Sequence, residues 1–584
     1  MEEGKMHKAL GFMDKRNMEC RKQFYKGNIL NFSMTILTII LNAGMSIAMA
    51  FMLKYFIESV EKLSIELTKR GLIITALYML TYAIIAVHMR KYKNRYLRKA
   101  LSQYKDCVFS KVLNKSIAEF RGGSSSRLIS AFSNDLNSIE THYLLGTLDL
   151  ILMGLTFVAA AIAMIAMNWK LGLCVTIVCI MSTLFSLKYG ENLIQKESET
   201  SDQNKSFVAQ VKDLLDGFII IKSFKAEKEA LEIFKQRNVE LESTKQSRRV
   251  TSDTINIYSN VSSIIVFTTI FTVGFHLAFT GDMTIGTVMA FIQLGNYLVA
   301  PVRDVAPLIS NRRAAVALID RIEREVEEKE PEVDMGIHIS DFKESIVFKD
   351  VSFSYGDNNM ALDGFSYTFE KGKNYAVVGS SGSGKSTILK LILGYYKNYH
   401  GEITMDGIPL RDINLDSLYD QISIIQQDVF LFDSSIENNI TMFRSFDESK
   451  LNSAIERAGL LELIKDKGRD YSCGEGGKNL SGGEKQRISI ARSLIRDTPI
   501  LLMDEATSGL DNETAINVEN AVLDIQGMTR IIVTHRFNES TMKRYDSILV
   551  MNKGKLVEHG TFDKLMEDKG YFYSLYNVSR AEAI

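Results

Sequence analysis

Six apolar runs of membrane-spanning length occupy the first half of this chain, and they limit its fold before any motif is considered. They cover roughly Ile29–Leu53, Gly71–Met89, Leu144–Met167, Leu171–Leu187, Ile255–Phe279 and Ile285–Ala306. A backbone crossing lipid must satisfy its own hydrogen bonds, so runs of this length point to transmembrane helices. Only Asn168, Trp169 and Lys170 separate the third run from the fourth, which fits a tight external turn with an interfacial tryptophan. The fifth and sixth are joined by Thr280–Thr284. Long polar stretches follow the second run (Arg90–Tyr143) and the fourth (Lys188–Thr254). The first of these opens with Arg90, Lys91, Lys93, Arg95, Arg98 and Lys99, a basic cluster that marks the cytoplasmic side. An even number of spans then places both termini in the cytosol, in a multi-pass protein of the cell membrane. Buried helices of a large soluble protein are the alternative, disfavoured by the span lengths and the alternating loop lengths.

The two long polar stretches hold few glycines and no proline, and they read as helical arms. An arm of ~25 residues reaches ~40 Å at 1.5 Å per residue. Phe120–Ser126 and Asp216–Phe218 are the expected turns at their tips. Asn42, His88, Asn260, His276, Gln293 and Asn296 are polar within or near spans, and interhelical hydrogen bonding is preferred to substrate contact for each. With 69 basic and 70 acidic residues in 584, the net charge of −1 provides no global field for nucleic acid. Cys20, Cys107, Cys174, Cys179 and Cys473 lack paired spacing, so neither a disulfide framework nor a zinc site is expected. The polar lead-in through Lys26 argues against a cleavable signal peptide. A charged run, Glu323–Pro331, reads as a solvated linker helix. From about Ser345 short β-rich runs begin, and a soluble α/β domain is expected.

Within that domain the apolar run Tyr375–Val378 leads into Gly379, Ser380, Ser381, Gly382, Ser383, Gly384, Lys385, Ser386 and Thr387, followed by the amphipathic Ile388–Leu393. Strand, glycine loop and helix form a triphosphate cradle in which backbone N–H groups point at phosphate oxygens. Lys385 would reach the β- and γ-phosphates of ATP, and the Ser386 hydroxyl would ligate Mg²⁺. Four matched positions of this kind arise by chance in roughly 2% of chains this long. Pro499–Glu505 is a buried-strand run ending in two carboxylates. Asp504 suits Mg²⁺ and Glu505 suits polarising the attacking water. Gln427, after Ile422–Ile425, would join the metal and water network. Ser481, Gly482, Gly483 and Glu484 precede a helical pattern, a second N-terminus able to meet a phosphate. His535 ends the apolar run Ile531–Thr534, where it would sense the γ-phosphate. Tyr355 would stack on adenine, although core packing is the better reading of that tyrosine alone.

Taken in this order, these motifs resemble the ATPase of ABC transporters, and the membrane half resembles the exporter-type six-helix domain. Asp216–Glu227 is similar to that family's second cytoplasmic loop, and Asp282–Thr287 with Pro301 to its sixth-helix entrance. The resemblance covers nearly everything beyond the first two dozen residues. It implies a multi-domain fold: an α-helical transmembrane bundle of six helices with long cytoplasmic extensions, fused to an α/β phosphate-loop ATPase. The expected boundaries are 1–27 for a cytoplasmic lead-in, 28–322 for the transmembrane domain, 323–344 for a linker and 345–584 for the nucleotide-binding domain. It also implies a head-to-tail dimer, homo- or heterodimeric, with each ATP between one subunit's phosphate loop and the other's signature at Ser481–Glu484. Ser508–Asp511 would be the interface loop, with Asp511 at the nucleotide, and Cys473–Gly477 would meet the membrane arms. Three positions depart from the family pattern: Glu484 where Gln is usual, Gln426 where Pro is common, and Gly476 where Arg is common. None removes a catalytic group.

The function expected is ATP-driven export of a small molecule, lipid or peptide by a membrane-embedded half-transporter. An exporter-fold importer and an ATP-gated channel are the alternatives. A soluble DNA- or ribosome-directed ATPase is excluded by the spans. The short lead-in and the setting of Cys20 argue against a leader-cleaving peptide exporter.

Overall fold

The computed structural model describes residues 19–115, 117, 120, 124–326, 336–355, 360–505, 512–525 and 527–582. The chain divides into two compact units, Met1–Lys115 with Gly122–Glu328 and Ser116–Arg121 with Lys329–Ile584.

The first unit is helical. A short helix α1 (Glu19–Lys22) precedes α2 (Ile29–Glu61) and α3 (Ile65–Leu113). A fourth helical stretch, α4, comprises Ser124–Ser130, two π-helical turns at Ala131–Asp135 and Ile139–Leu145 with Leu136–Ser138 between them, and Gly146–Met167. Then come α5 (Trp169–Asp216), the short α6 (Phe218–Ser223), α7 (Glu227–Phe279) and α8 (Ile285–Val326). Six of these helices are long and apolar enough to cross a membrane.

Each apolar run is one part of a longer helix. At 49 residues α3 measures ~74 Å, more than twice the ~30 Å of a hydrocarbon core. Its remainder is the polar arm expected from sequence. Helices α5 and α7 are held side by side, within their apolar runs by Phe185 stacked on Tyr258 at 4.1 Å and in their polar arms by Arg248 on Glu197 at 2.9 Å. The turn expected at Asp216–Phe218 is present: α5 stops at Asp216 and α6 starts at Phe218. Of Phe120–Ser126, residues 121–123 lie outside the described residues, and Ser124–Ser126 open a helix. Asn168 has an extended backbone and accepts the Leu171 N–H at 3.2 Å, which ends one helix and caps the next.

Close approach across that hairpin depends on glycine. A Cβ built on Gly172 would fall 2.7 Å from the backbone of Met164 and Ile165. Gly172→Val is therefore expected to force α4 and α5 apart and cost about 1–3 kcal/mol. A lowered thermal midpoint of the detergent-purified protein checks this, and an unchanged midpoint contradicts it.

Four sequence expectations are corrected here. Cys20 and Cys107 form a disulfide across 87 residues of chain, with Cα atoms 5.6 Å apart. Packing of α1 on the arm of α3 creates the pair, and linear spacing carries no trace of it. Glu323, read as part of a solvated linker, is buried at the end of α8 and accepts the Arg21 N–H at 2.8 Å. Solvation is replaced there by contact with the amino-terminal segment. His88 and Asn296 bond the carbonyls of Ile84 and Ile292 in their own helices, not a neighbouring helix. The His88 ring and the Asn296 amide each reach one turn back along the same helix.

The second unit is α/β. An antiparallel sheet has the order β2-β1-β4-β5, made of Ser345–Ser354 (β1), Met360–Glu370 (β2), His400–Met405 (β4) and Ile408–Pro409 (β5). The larger sheet runs β10-β9-β3-β8-β7-β6. It comprises Asn374–Gly379 (β3), Ile422–Ile425 (β6), Ile500–Asp504 (β7), Thr529–Val533 (β8), Ser547–Asn552 (β9) and Lys555–Gly560 (β10). All its pairings are parallel except β9 with β10. A parallel strand is covered on both faces, which is why β3, β7 and β8 read as unbroken apolar runs. Ala376, Val378, Leu501 and Met503 enter one core; Tyr375, Val377, Ile500 and Leu502 enter the other.

Candidate nucleotide site

Ligands of open parallel sheets sit beyond the carboxyl ends of the strands where the order reverses. Here β3 is followed in space by β9 on one side and β8 on the other, so the loop leaving β3 occupies that crevice. Gly384 closes it with φ +99°, and a Cβ there would meet the Ala361 carbonyl oxygen at 2.3 Å. Only glycine permits this geometry, and helix α9 (Lys385–Ile392) starts immediately after it.

The Lys385 side chain folds back over the loop. Its ammonium donates to the carbonyls of Gly379 at 3.1 Å and Ser380 at 2.9 Å. Burial pushes its pKa down, against the opposing pull of Glu505 and Asp504. Ser386 Oγ donates to Asp504 Oδ1 at 2.8 Å, bringing together a hydroxyl and a carboxylate 118 residues apart. Burial raises the Asp504 pKa, partly offset by the Ser386 hydroxyl. A hydroxyl and a desolvated carboxylate are hard oxygen donors of the kind Mg²⁺ takes, so the residues present fit that ion. Ser383 Oγ is buried with no hydrogen-bond partner among the described residues.

Glu505 follows β7 with φ +47°, a strained backbone for a non-glycine residue. Its N–H donates to the Val533 carbonyl at 3.0 Å, which anchors it beside the end of β8. His535, two residues beyond β8, places Nε2 2.7 Å from Glu505 Oε1. The histidine and the carboxylate are thus one hydrogen-bonded pair. Gln427 lies two residues past β6, whose Ile425 pairs with Met503 of β7, and it is exposed at the same sheet edge. Tyr355 is half exposed; its hydroxyl is 3.0 Å from Thr387 Oγ1 and Lys390 Nζ is 5.7 Å from its ring centroid. It is held at the loop and half exposed, with the rings of Phe353 and Tyr396 packed against it, rather than in the core. Lys390 beside it was not anticipated; its place one turn along α9 was the available signal.

Ser481–Glu484 stand apart from these groups. They open α11 (Gly482–Leu494), and α10 (Leu461–Lys467) precedes it. Ser481 Oγ accepts the Glu484 N–H at 3.3 Å while Glu484 Oε2 accepts the Ser481 N–H at 2.6 Å, a reciprocal capping box. Their hydrogen bonds run to each other and to Lys467, not to the phosphate loop. Asp511, with Ser508–Asp511 as a whole, lies outside the described residues.

The family model described as ABC transporter matches residues 362–508, and that for the ABC transporter transmembrane region matches residues 32–302. The ATP-dependent lipid A-core flippase of Desulfotalea psychrophila is 30% identical over 586 residues, spanning 96% of this chain and 100% of that protein. The chain belongs to the ABC transporter family. The ATP-dependent lipid A-core flippase of Neisseria meningitidis serogroup A is 33% identical over 442 residues, covering 74% of this chain and 70% of that protein. A solved bacterial Atm1-family ABC exporter with ATP bound superposes with a TM-score of 0.79 at 22% identity, over 94% of this chain and 99% of the other. That likeness speaks for the fold. This transporter is accordingly a multi-pass membrane protein carrying one ATP-hydrolysing domain, the complement of a half-transporter.

Proposed function

We propose that two copies of this half-transporter, or one copy and a second half-transporter, form an ATP-driven exporter of amphipathic, lipid-like molecules. In this reading Gly379–Thr387 bind the phosphates and Tyr355 supports the adenine. Ser386, Asp504 and Gln427 hold Mg²⁺ through oxygen atoms. Glu505 orients and polarises the attacking water, and His535 holds that carboxylate in place. Mg²⁺ would neutralise charge on the phosphates during transfer. Ser481–Glu484 of one subunit complete the site of the other.

The observation that carries this reading is the gathering of Lys385, Ser386, Asp504, Glu505 and His535 at one sheet edge, in a chain that also holds six span-length helices. The separate setting of the capped signature supports a site completed by a second subunit. The lipid class of cargo follows the names of the full-length relatives. A cytosolic position for both termini is supported by the basic cluster at Arg90–Lys99, which lies beyond the apolar part of α3.

The test is a vesicle carrying the purified protein with a fluorescent phospholipid in both leaflets. ATP supplied outside reaches only inverted copies, and those should move the probe from the outer to the inner leaflet. Movement toward the ATP side would mean import, and probe movement without ATP would mean neither.

A further inference from the structure

An acidic residue at the third position of α11 conflicts with the use of that helix end as a phosphate contact. The N-terminus of α11 carries free N–H groups and the positive end of the helix dipole. Glu484 sits there with a carboxylate that would repel a γ-phosphate. It is also part of the device that shapes this end, since its carboxylate holds the Ser481 N–H at 2.6 Å. Glutamine here would keep the cap without the charge; glutamate keeps the cap and adds a negative charge beside a site for an anion.

Lys467 resolves the conflict. The carboxylate has two oxygens: Oε2 serves Ser481, and Oε1 receives the Lys467 ammonium at 3.2 Å. Both side chains are largely covered, at 25% exposure for Lys467 and 17% for Glu484, so solvent screens the pair less than an exposed one. Lys467 is itself aimed by its surroundings. It ends α10, Gly468 turns the chain away with φ +82°, and its ammonium lies 5.2 Å from the Tyr471 ring centroid. The neighbouring cation Lys485 is directed elsewhere, to the Gly476 carbonyl at 3.1 Å. Burial alone would raise the Glu484 pKa; the Ser481 N–H, Lys467 and the Ser481 hydroxyl outweigh it and hold the group ionised.

We propose that Lys467 is a positioning residue for ATP use: it cancels the Glu484 charge while leaving that carboxylate in the capping box, so that the Ser481 end of α11 can accept a nucleotide phosphate. This rests on the reading that the signature meets a nucleotide held by the other subunit. The Ser481 hydroxyl oxygen accepts the Glu484 backbone N–H at 3.3 Å, which keeps this end of α11 in its capped geometry. An acidic signature and its lysine then work as a unit in place of a neutral glutamine.

The experiment is a two-by-two cycle on the full-length, reconstituted transporter. ATPase kinetics are measured for Lys467→Met with Glu484 intact and again in a Glu484→Gln background. With Glu484 intact the substitution should raise the KM for ATP about tenfold and leave kcat within about twofold, because a like charge now faces the phosphate. Raising the salt concentration should shrink that defect. In the Glu484→Gln background, where an amide retains the cap without charge, Lys467→Met should change KM less than about threefold. Lys467→Arg should keep KM near the parent value.

A lysine that only ties α10 to α11 gives the opposite pattern: the defect persists in the Glu484→Gln background, and the proposal is overturned. An unchanged KM in Lys467→Met overturns it as well. Where Lys467→Met does not assemble, Lys467→Gln takes its place in the same cycle. Turnover by Glu505→Gln separates the two levels. If that variant hydrolyses ATP normally, the reading of the nucleotide site is at fault; if it is inactive while the cycle fails, only the role of Lys467 falls.

Discussion

Glu505→Gln in the purified transporter should bind ATP with near-parental affinity and hydrolyse it about 10²–10⁴-fold more slowly, the range for loss of a positioned general base. The substitution is close to isosteric. The amide oxygen can still accept from His535 Nε2, now 2.7 Å from the carboxylate, and the strained backbone at φ +47° is the same for either residue. What disappears is basicity and negative charge beside the attacking water. Phosphate release under saturating ATP, paired with direct binding of a fluorescent ATP analogue, separates the two effects. Hydrolysis at the parental rate would remove Glu505 from the chemistry and turn attention to Asp504 or His535.

Lys385→Met should weaken ATP binding about 10- to 100-fold, the loss of a charged hydrogen bond to phosphate. Lys385 is 5% exposed, and its ammonium is held by two loop carbonyls, those of Gly379 and Ser380. Burial depresses its pKa, so the charged form is disfavoured in the fold relative to the unfolded chain. Below the unfolded-state pKa, which includes neutral pH, that costs the fold stability. Methionine fills the volume without the charge. The empty variant should therefore melt no earlier than the parent, while the rise in melting temperature on adding ATP should be largely lost. A variant that melts much earlier without ATP, yet binds ATP normally, would make Lys385 a structural residue.

Much of this site is readable along the chain because its parts are local. Gly379–Thr387 form a single turn between β3 and α9, and a strand followed by a glycine loop can be recognised without knowing what surrounds it. The same holds for the capping box, in which Ser481 and Glu484 are three residues apart. The spans are legible for a cruder reason, since twenty apolar residues have few other places to go. Lys467 was missed because its partner lies 17 residues away on another helix. The Cys20–Cys107 pair and the burial of Glu323 escaped for the same reason, each depending on how the amino-terminal segment packs.

The linear order of residues was sufficient to determine six apolar helices and a strand, glycine loop and helix within an α/β domain. These are properties of periodicity and of short motifs, where each residue's role depends on neighbours a few positions away. Tertiary structure alone decided that Ser386 finds Asp504 across 118 residues, that His535 finds Glu505, and that Lys467 pairs with Glu484. Pairings of that kind depend on strand order and helix packing. A side chain reaches only a few ångströms, so the fold selects its partner.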